Sequence, residues 1–300
     1  MKYVNFNGDK LSKLSLGTVQ FGLDYGISNF NGKPTQENAN QIVEYVSQEG
    51  INCFDTAQAY GNSEQVLGIA IEKITDNVII SKVKSFAFRE NVIENVNSSV
   101  NNLGLKSLFG LLLHDSEILY KWTKEDSKKV EQLKEIDKIK YFGVSIYTSE
   151  DFDLAIKNEK IELIQIPFNL FDQRALKDKW FQKAKESNKL IFIRSIYLQG
   201  LLLMNEYDVK IKLPEASKFI NKLDKLCNKY NCSRNELCLS FVDNVANDSL
   251  LLFGCDNISQ AKENILNYNN LKVLDNSEIN EMHNLFIDIP EAIYNPTKWK

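Results

Sequence analysis

The stretch Ile51-Asn52-Cys53-Phe54-Asp55-Thr56-Ala57-Gln58-Ala59-Tyr60-Gly61 decides how the chain is read. It begins as a short apolar run and ends in a carboxylate, a turn of small residues and a phenol. An apolar strand that delivers polar side chains at its C-terminal end has the form of a strand at the mouth of a catalytic barrel. Lys82 and His114 also end apolar runs, at 78–82 and 108–114. The expectation is that Asp55, Tyr60, Lys82 and His114 meet in one pocket.

On both sides of that stretch the chain alternates. Apolar runs fall at 14–17, 51–55, 78–82, 108–114, 141–145, 163–167, 190–194 and 250–254, eight in all. Segments with helical spacing separate them: 36–48 behind a Thr35 cap, a helix capped by Ser63, 92–103, 124–136, 149–157 and 176–187. An insertion at 196–212 precedes helices at 214–228 and 233–245, and further helices follow at 258–266 and 277–286. Strands apolar throughout and separated by helices are parallel and buried on both faces. Eight of them close a (β/α)8 TIM barrel. The turn signal Asn7-Gly8-Asp9 predicts an N-terminal β-hairpin before the barrel. The expected architecture is one α/β domain over 1–300, with C-terminal helices. An open doubly wound sheet is the alternative, but its Gly-x-Gly-x-x-Gly turn after a first strand is absent.

Composition narrows the function. The chain of 300 residues is 43% hydrophobic and 25% charged, with a net charge of −4. That balance, with a pI near 5.5, speaks against a nucleic-acid or anionic-membrane surface. No signal-like segment opens the chain, and the longest apolar runs are too short to span a bilayer. Cys53, Cys227, Cys232, Cys238 and Cys255 form an odd set without framework spacing, and no partner completes a metal site around the 227–238 cluster. The expectation is a reduced, cytoplasmic protein without a metal. His283, in a polar terminal helix, reads as surface, and no apolar stripe forces an interface between copies.

The four polar groups make chemical sense together. A phenol, with an ordinary pKa near 10, exchanges protons poorly at neutral pH. A nearby ammonium stabilises the phenolate, a carboxylate holds that ammonium, and an imidazole can orient a carbonyl oxygen. These parts protonate a carbonyl as a hydride arrives. None of them carries a hydride, so an organic cofactor must.

Residues 54–64, the strand ending in Lys82, and Leu111-Leu112-Leu113-His114 resemble the signatures of the aldo-keto reductase family, in order. Leu14-Ser15-Leu16-Gly17-Thr18, Gly143-Val144-Ser145, residues 164–169, Gln199-Gly200-Leu201-Leu202 and Gly254 through Glu263-Asn264 extend the resemblance across the chain. It implies Tyr60 as proton donor, tuned by Lys82 and Asp55, with His114 orienting the substrate carbonyl. It implies a nicotinamide cofactor, NADPH by family habit with NADH also possible. Gly17 and Thr18, Ser145 and Gln165, Arg194 and Ser195, Gln199 and Gly200, and Gly254, Gln260, Glu263 and Asn264 would hold it, with Asn169 shaping the same pocket. Three positions depart from the family pattern: Ile146 for an asparagine, Arg194 for an aromatic that stacks on the nicotinamide, and Gln260 for an arginine on the 2′-phosphate.

For the substrate, the loops 20–34, 116–121 and 196–212 are the expected determinants, with Phe21, Tyr25, Trp122 and Tyr197 as candidate walls. Asp24, Gln58 and Gln199 could bond hydroxyls, which suits a sugar or polyol. The opening Gly17-Thr18-Val19-Gln20-Phe21-Gly22-Leu23-Asp24-Tyr25-Gly26 also resembles a bacterial subgroup associated with surface-carbohydrate biosynthesis. The leading reading is reduction of a small-molecule carbonyl. The alternatives are a reductase-like sensor with little turnover, as in potassium-channel beta subunits, and a cofactor-free barrel isomerase or lyase.

Overall fold

The computed structural model describes residues 1–29 and 32–299; Phe30 and Asn31, within the expected 20–34 loop, lie outside the described residues. Strands β1 (Tyr3–Phe6) and β2 (Asp9–Ser12) form the predicted antiparallel hairpin. Asn7 and Gly8 turn it with φ of 49° and 91°, a left-handed pair that asparagine and glycine tolerate. The predicted strands follow as β3 (Leu14–Gly17), β4 (Cys53–Asp55), β5 (Val78–Val83), β6 (Leu108–Leu113), β7 (Ile139–Ser145), β8 (Leu163–Pro167), β9 (Leu190–Arg194) and β10 (Leu250–Phe253). They close into a parallel barrel in the order β10-β3-β4-β5-β6-β7-β8-β9. The (β/α)8 architecture is therefore the one expected.

Strand parity sorts the side chains. Leu16, Phe54, Ile79, Leu111, Phe142, Ile164 and Ile193 point outward into the apolar layer beneath the helices. Cys53, Ile80, Leu112, Leu163, Phe192 and Leu252 point inward, and Phe6 and Leu11 of the hairpin join them to plug the barrel's lower end. Because side chains alternate along a strand, the inward set resumes two residues later at Asp55, Lys82, His114, Gln165 and Arg194. The upper layer of the barrel interior is thus polar by the same count that makes the lower layer apolar. Gly110 also faces inward, where a Cβ would come within 2.7 Å of Ile80 and Leu163.

Several local expectations need correction. Ser63 opens the helix Ser63–Ile71 rather than capping it; Asn62 is the cap residue, and the Ser63 hydroxyl bonds the Thr18 carbonyl at 2.7 Å. The segment expected as one helix at 176–187 is a turn, Arg174–Lys177, and a helix, Trp180–Glu186, broken at Lys179 with φ of 57°. His283 is not simply a surface residue, because its Nδ1 lies 2.6 Å from Gln173 Oε1. In the 196–212 insertion, a turn at Leu198–Leu203 leads into the helix Glu206–Lys212.

One close approach ties the fold to the site. A Cβ on Gly22 would sit 1.7 Å from the Tyr60 carbonyl oxygen, and one on Gly61 would sit 2.5 Å from the Gly22 carbonyl oxygen. Backbone cannot yield there as a flexible side chain could. Gly22→Ala should therefore lower stability by about 1–3 kcal/mol, the usual range for overpacking. Urea unfolding checks this, and an unchanged midpoint would mean that the loop carrying Tyr60 is not held by Gly22.

Candidate active site

Neighbouring strands bring the four candidate groups together. Gly17 of β3 pairs with Asp55 of β4, Asp55 with Ile80 of β5, and Lys82 of β5 with Leu112 of β6. His114 continues the last pairing through its amide, which donates to the Val83 carbonyl at 2.8 Å. Lys82 is 1% exposed and Asp55 4%. The Lys82 ammonium donates to Asp55 Oδ2 at 2.6 Å, to the Thr56 carbonyl at 2.9 Å and to the Tyr60 hydroxyl oxygen at 3.2 Å. An ammonium has three donors and no acceptor, so these contacts use it fully. They also set the direction of the phenol, whose oxygen accepts from Lys82 and whose own proton must point elsewhere. Asp55 Oδ1 accepts from Gln165 Nε2 at 2.8 Å, so both carboxylate oxygens are engaged. The imidazole of His114 packs edge-on against the Tyr60 ring, with centroids 5.4 Å apart and planes at 84°.

The electrostatics correct one expectation. The ammonium was expected to lower the pKa of the phenol, but burial outweighs it and the Tyr60 hydroxyl is held above its usual 10. Lys82 pulls downward as the second influence, partly offset by Asp55. The ammonium's charge is already shared with a carboxylate at 2.6 Å, which blunts its effect on the phenol. For Lys82, burial pulls its pKa down, but Asp55 and Tyr60 win and leave it raised. Burial, then the positive charges of Lys82, Lys84 and Arg194, push His114 down to about 3. The site at neutral pH therefore holds a protonated phenol, a charged ammonium and a neutral imidazole. The His114 Nδ1 is buried with no hydrogen-bond partner among the described residues.

A hydroxyl network fixes the loop that carries Tyr60. Thr18 Oγ1 lies 3.0 Å from the Asp55 carbonyl and 2.8 Å from Ser63 Oγ, which lies 3.1 Å from Thr56 Oγ1. The Gln58 amide nitrogen donates to the Lys82 carbonyl at 3.1 Å and the Tyr60 amide nitrogen to the Ala57 carbonyl at 3.0 Å. Thr18, expected at the cofactor, thus spends its side chain on the catalytic loop while forming part of the cavity wall.

A cavity of about 630 Å³ opens from Asp55 and Tyr60 across the ends of β3, β8, β9 and β10. Of the residues expected at a cofactor, Gly17, Thr18, Gln165, Arg194, Ser195, Gln199, Gly200, Gly254, Gln260, Glu263 and Asn264 line it; Ser145 does not. Ser145 is buried beside Gln165 in the β7–β8 pairing. Asn169 is also off the wall: it bonds the Ser195 carbonyl at 2.9 Å and the amides of Phe171 and Asp172, so it shapes the loop. Arg194 donates to the Ile146 carbonyl at 3.1 Å and lies 4.1 Å over the Tyr147 ring, so one guanidinium face is already covered.

The expected substrate walls divide. Tyr25 lines the cavity with Tyr60, and burial pushes its hydroxyl up to about 12. Tyr197 lines the cavity too, but its hydroxyl is directed at Asn235 and Asn264, at 2.7 and 2.6 Å. Phe21 is in the core instead, 1% exposed. Trp122 stacks on Phe88 and bonds Ser127, outside the cavity, because the turn Glu117–Lys121 packs down on Asp151 through Ser116 and Tyr120. Gln58 is likewise turned away, its amide bonding Asn95 and Ser99, and Asp24 is exposed and off the wall; Gln199 alone of the three hydroxyl candidates is on it.

Sequence reasoning passed over Gln20, Ser28, Arg234, Asn235 and Asp256, all on the wall. Asp256 could have been found as a carboxylate just beyond a barrel strand, where functional groups collect. Arg234 and Asn235 come from a helix start that no strand end announces.

The cavity suits a dinucleotide. Gln20 Oε1 is buried without a partner among the described residues, a polar atom open to a donor. A Cβ at Gly254 would strike the Gln20 amide at 2.5 Å, so the glycine leaves room for it. Ser195, Leu198, Gln199 and Gly200 all adopt positive φ, between 49° and 91°, which bends the β9 loop along the cavity. The loop before it is locked on: the Ile27 amide bonds the Gln199 carbonyl at 3.1 Å.

Comparison with known proteins gives the family. Residues 13–286 match the Aldo/keto reductase family. An aldo-keto reductase of Bacillus subtilis is 24% identical over 287 residues, covering 85% of each chain. The NADH-specific methylglyoxal reductase of Escherichia coli is 23% identical, covering 91% of this chain and 94% of its own. The glycerol dehydrogenase structure from Gluconobacter oxydans superposes with a TM-score of 0.74 at 20% identity, covering 98% and 97%. The chain belongs to the aldo/keto reductase family and is an NAD(P)H-dependent oxidoreductase.

Proposed function

We propose that the chain reduces a small, hydroxylated aldehyde or ketone, a sugar or sugar-derived carbonyl, to its alcohol, with Tyr60 as the proton donor. The observation that carries the reading is the triple engagement of Lys82, which leaves the Tyr60 proton free to leave toward the cavity. A bound nicotinamide supplies the hydride. The ends of β3, β8, β9 and β10, with the 254–264 segment, would hold the dinucleotide. His114, neutral at working pH, orients the carbonyl oxygen without competing as an acid. Tyr60 gives its proton to that oxygen, and Lys82 steadies the phenolate that remains. Asp55 and Gln165 keep the ammonium in place, so little reorganises during the step. Solvent then returns a proton to the phenolate.

The substrate class rests on the wall. Tyr25 and Gln199 offer hydrogen bonds on the wall, which suits hydroxyls better than a steroid. A relative named for methylglyoxal is consistent with a small carbonyl substrate.

Three measurements test the reading. Tyr60→Phe should retain cofactor affinity and lose turnover by about 10²–10⁴, the range for removing a general acid. Wild-type rates in that variant would dismiss Tyr60 as donor, and tight cofactor binding without turnover of any aldehyde or aldose in wild type would favour the sensor. Since the phenol stays protonated to above its usual 10, kcat/KM for reduction should hold level to about pH 9 and fall only beyond it. A fall centred near neutrality would contradict the assignment. Lys82→Met strands a buried carboxylate and should cost about 3–5 kcal/mol in stability by denaturant unfolding.

A further inference from the structure

NAD and NADP differ in one group, a phosphate on the adenosine 2′-hydroxyl. Any preference is therefore decided where the adenosine lies, away from the nicotinamide at Tyr60. Tyr60 is carried by the loop after β4, and the 254–264 segment follows β10, on the other side of β3. Residues of that segment line the same cavity, two strands round the barrel from the loop that carries Tyr60.

Its charges are unsuited to a phosphate. Asp256 and Glu263 are on the wall, and Gln260 between them is neutral. The Gln260 side chain braces Asp256: Oε1 accepts from the Asp256 amide at 2.8 Å, and Nε2 lies 3.4 Å from Oδ2. Asn29 Nδ2 lies 3.5 Å from the other carboxylate oxygen. Both are neutral amides. Burial raises the Asp256 pKa, and the bond from Gln260 pulls against it. Lys262 is exposed, over the Tyr45 ring and off the wall. Arg234 is held by both oxygens of Asp224 at 2.6 and 2.7 Å and by the Met204 carbonyl.

We infer that Asp256, held by Gln260, makes this site favour NADH over NADPH. The inference rests on the nicotinamide reading above and makes it more specific. Family resemblance favours NADPH in general; the side chains at this end carry the finer choice. A carboxylate accepts hydrogen bonds from a ribose diol, which is how acids select the unphosphorylated cofactor in other dinucleotide sites. The same carboxylate repels a 2′-phosphate, and the arginine on the neighbouring wall, Arg234, is already paired with Asp224.

Calorimetric titration of the cofactor-free protein with NADH and with NADPH tests this without turnover. NADH should bind tighter by about tenfold or more, a modest outcome for like charges brought together in a cleft. Asp256→Asn, which removes the charge and keeps the shape, should narrow that ratio, mainly by strengthening NADPH. Asp256→Arg should reverse the order. NADPH binding as tightly as NADH in the wild type, or a ratio unmoved by Asp256→Asn, overturns the role of Asp256 and leaves the reductase reading standing. Failure of both dinucleotides to bind overturns that reading and this one together.

Discussion

The contact between Lys82 and Asp55 is the constraint on which the rest of the site depends. An ammonium 1% exposed, deep in a barrel, is tolerable only with a carboxylate beside it and its other protons bonded. Satisfying it uses Asp55, the Thr56 carbonyl and the Tyr60 oxygen. The phenol is thereby placed and its proton turned outward as a by-product of satisfying a buried charge. Gln165 reaches across from β8 to complete the carboxylate, which links the catalytic strands to the side of the barrel that borders the cofactor cavity. Stability and reactivity share the same hydrogen bonds here.

Barrel parity explains why so much of this was legible in the sequence. Once 51–55, 78–82 and 108–114 are parallel strands, counting by two from apolar Cys53, Ile80 and Leu112 lands on Asp55, Lys82 and His114. The same count places Gln165 and Arg194. What failed lay off the strands. Phe21 and Trp122 sit in connections whose direction no periodicity reports, and both turned into the packing. Ser63 has the composition of a cap, yet a long-range partner, Thr18, claimed its hydroxyl. The Tyr60 pKa went the other way because a local pair argument omits the burial that the whole barrel imposes. Asp256 was missed because its meaning depends on what its neighbours lack.

The two ends of the cavity handle charge in opposite ways. At Tyr60 an ion pair is nearly dry and fully bonded, so that one proton is mobile and little else is. At Asp256 a carboxylate is braced by amides and, among the described residues, makes no salt bridge. Between them the bent backbone at 195–200 and the 25–29 loop, joined by the Ile27–Gln199 bond, wall the path from one end to the other. On the proposed reading, a single barrel rim divides its work, with strands β4 to β6 for proton transfer and the ends of β9 and β10 for holding a long cofactor.

The central claim is that the Tyr60 phenol delivers the proton as the carbonyl is reduced. The direct measurement is a single-turnover reaction with an aldose or small aldehyde, followed by loss of reduced-nicotinamide absorbance in H2O and in D2O, for the wild type and for Tyr60→Phe. The account predicts a slower wild-type reaction in D2O and no such solvent effect on the residual rate of the variant. An equal solvent effect in both proteins would mean that the proton comes from elsewhere.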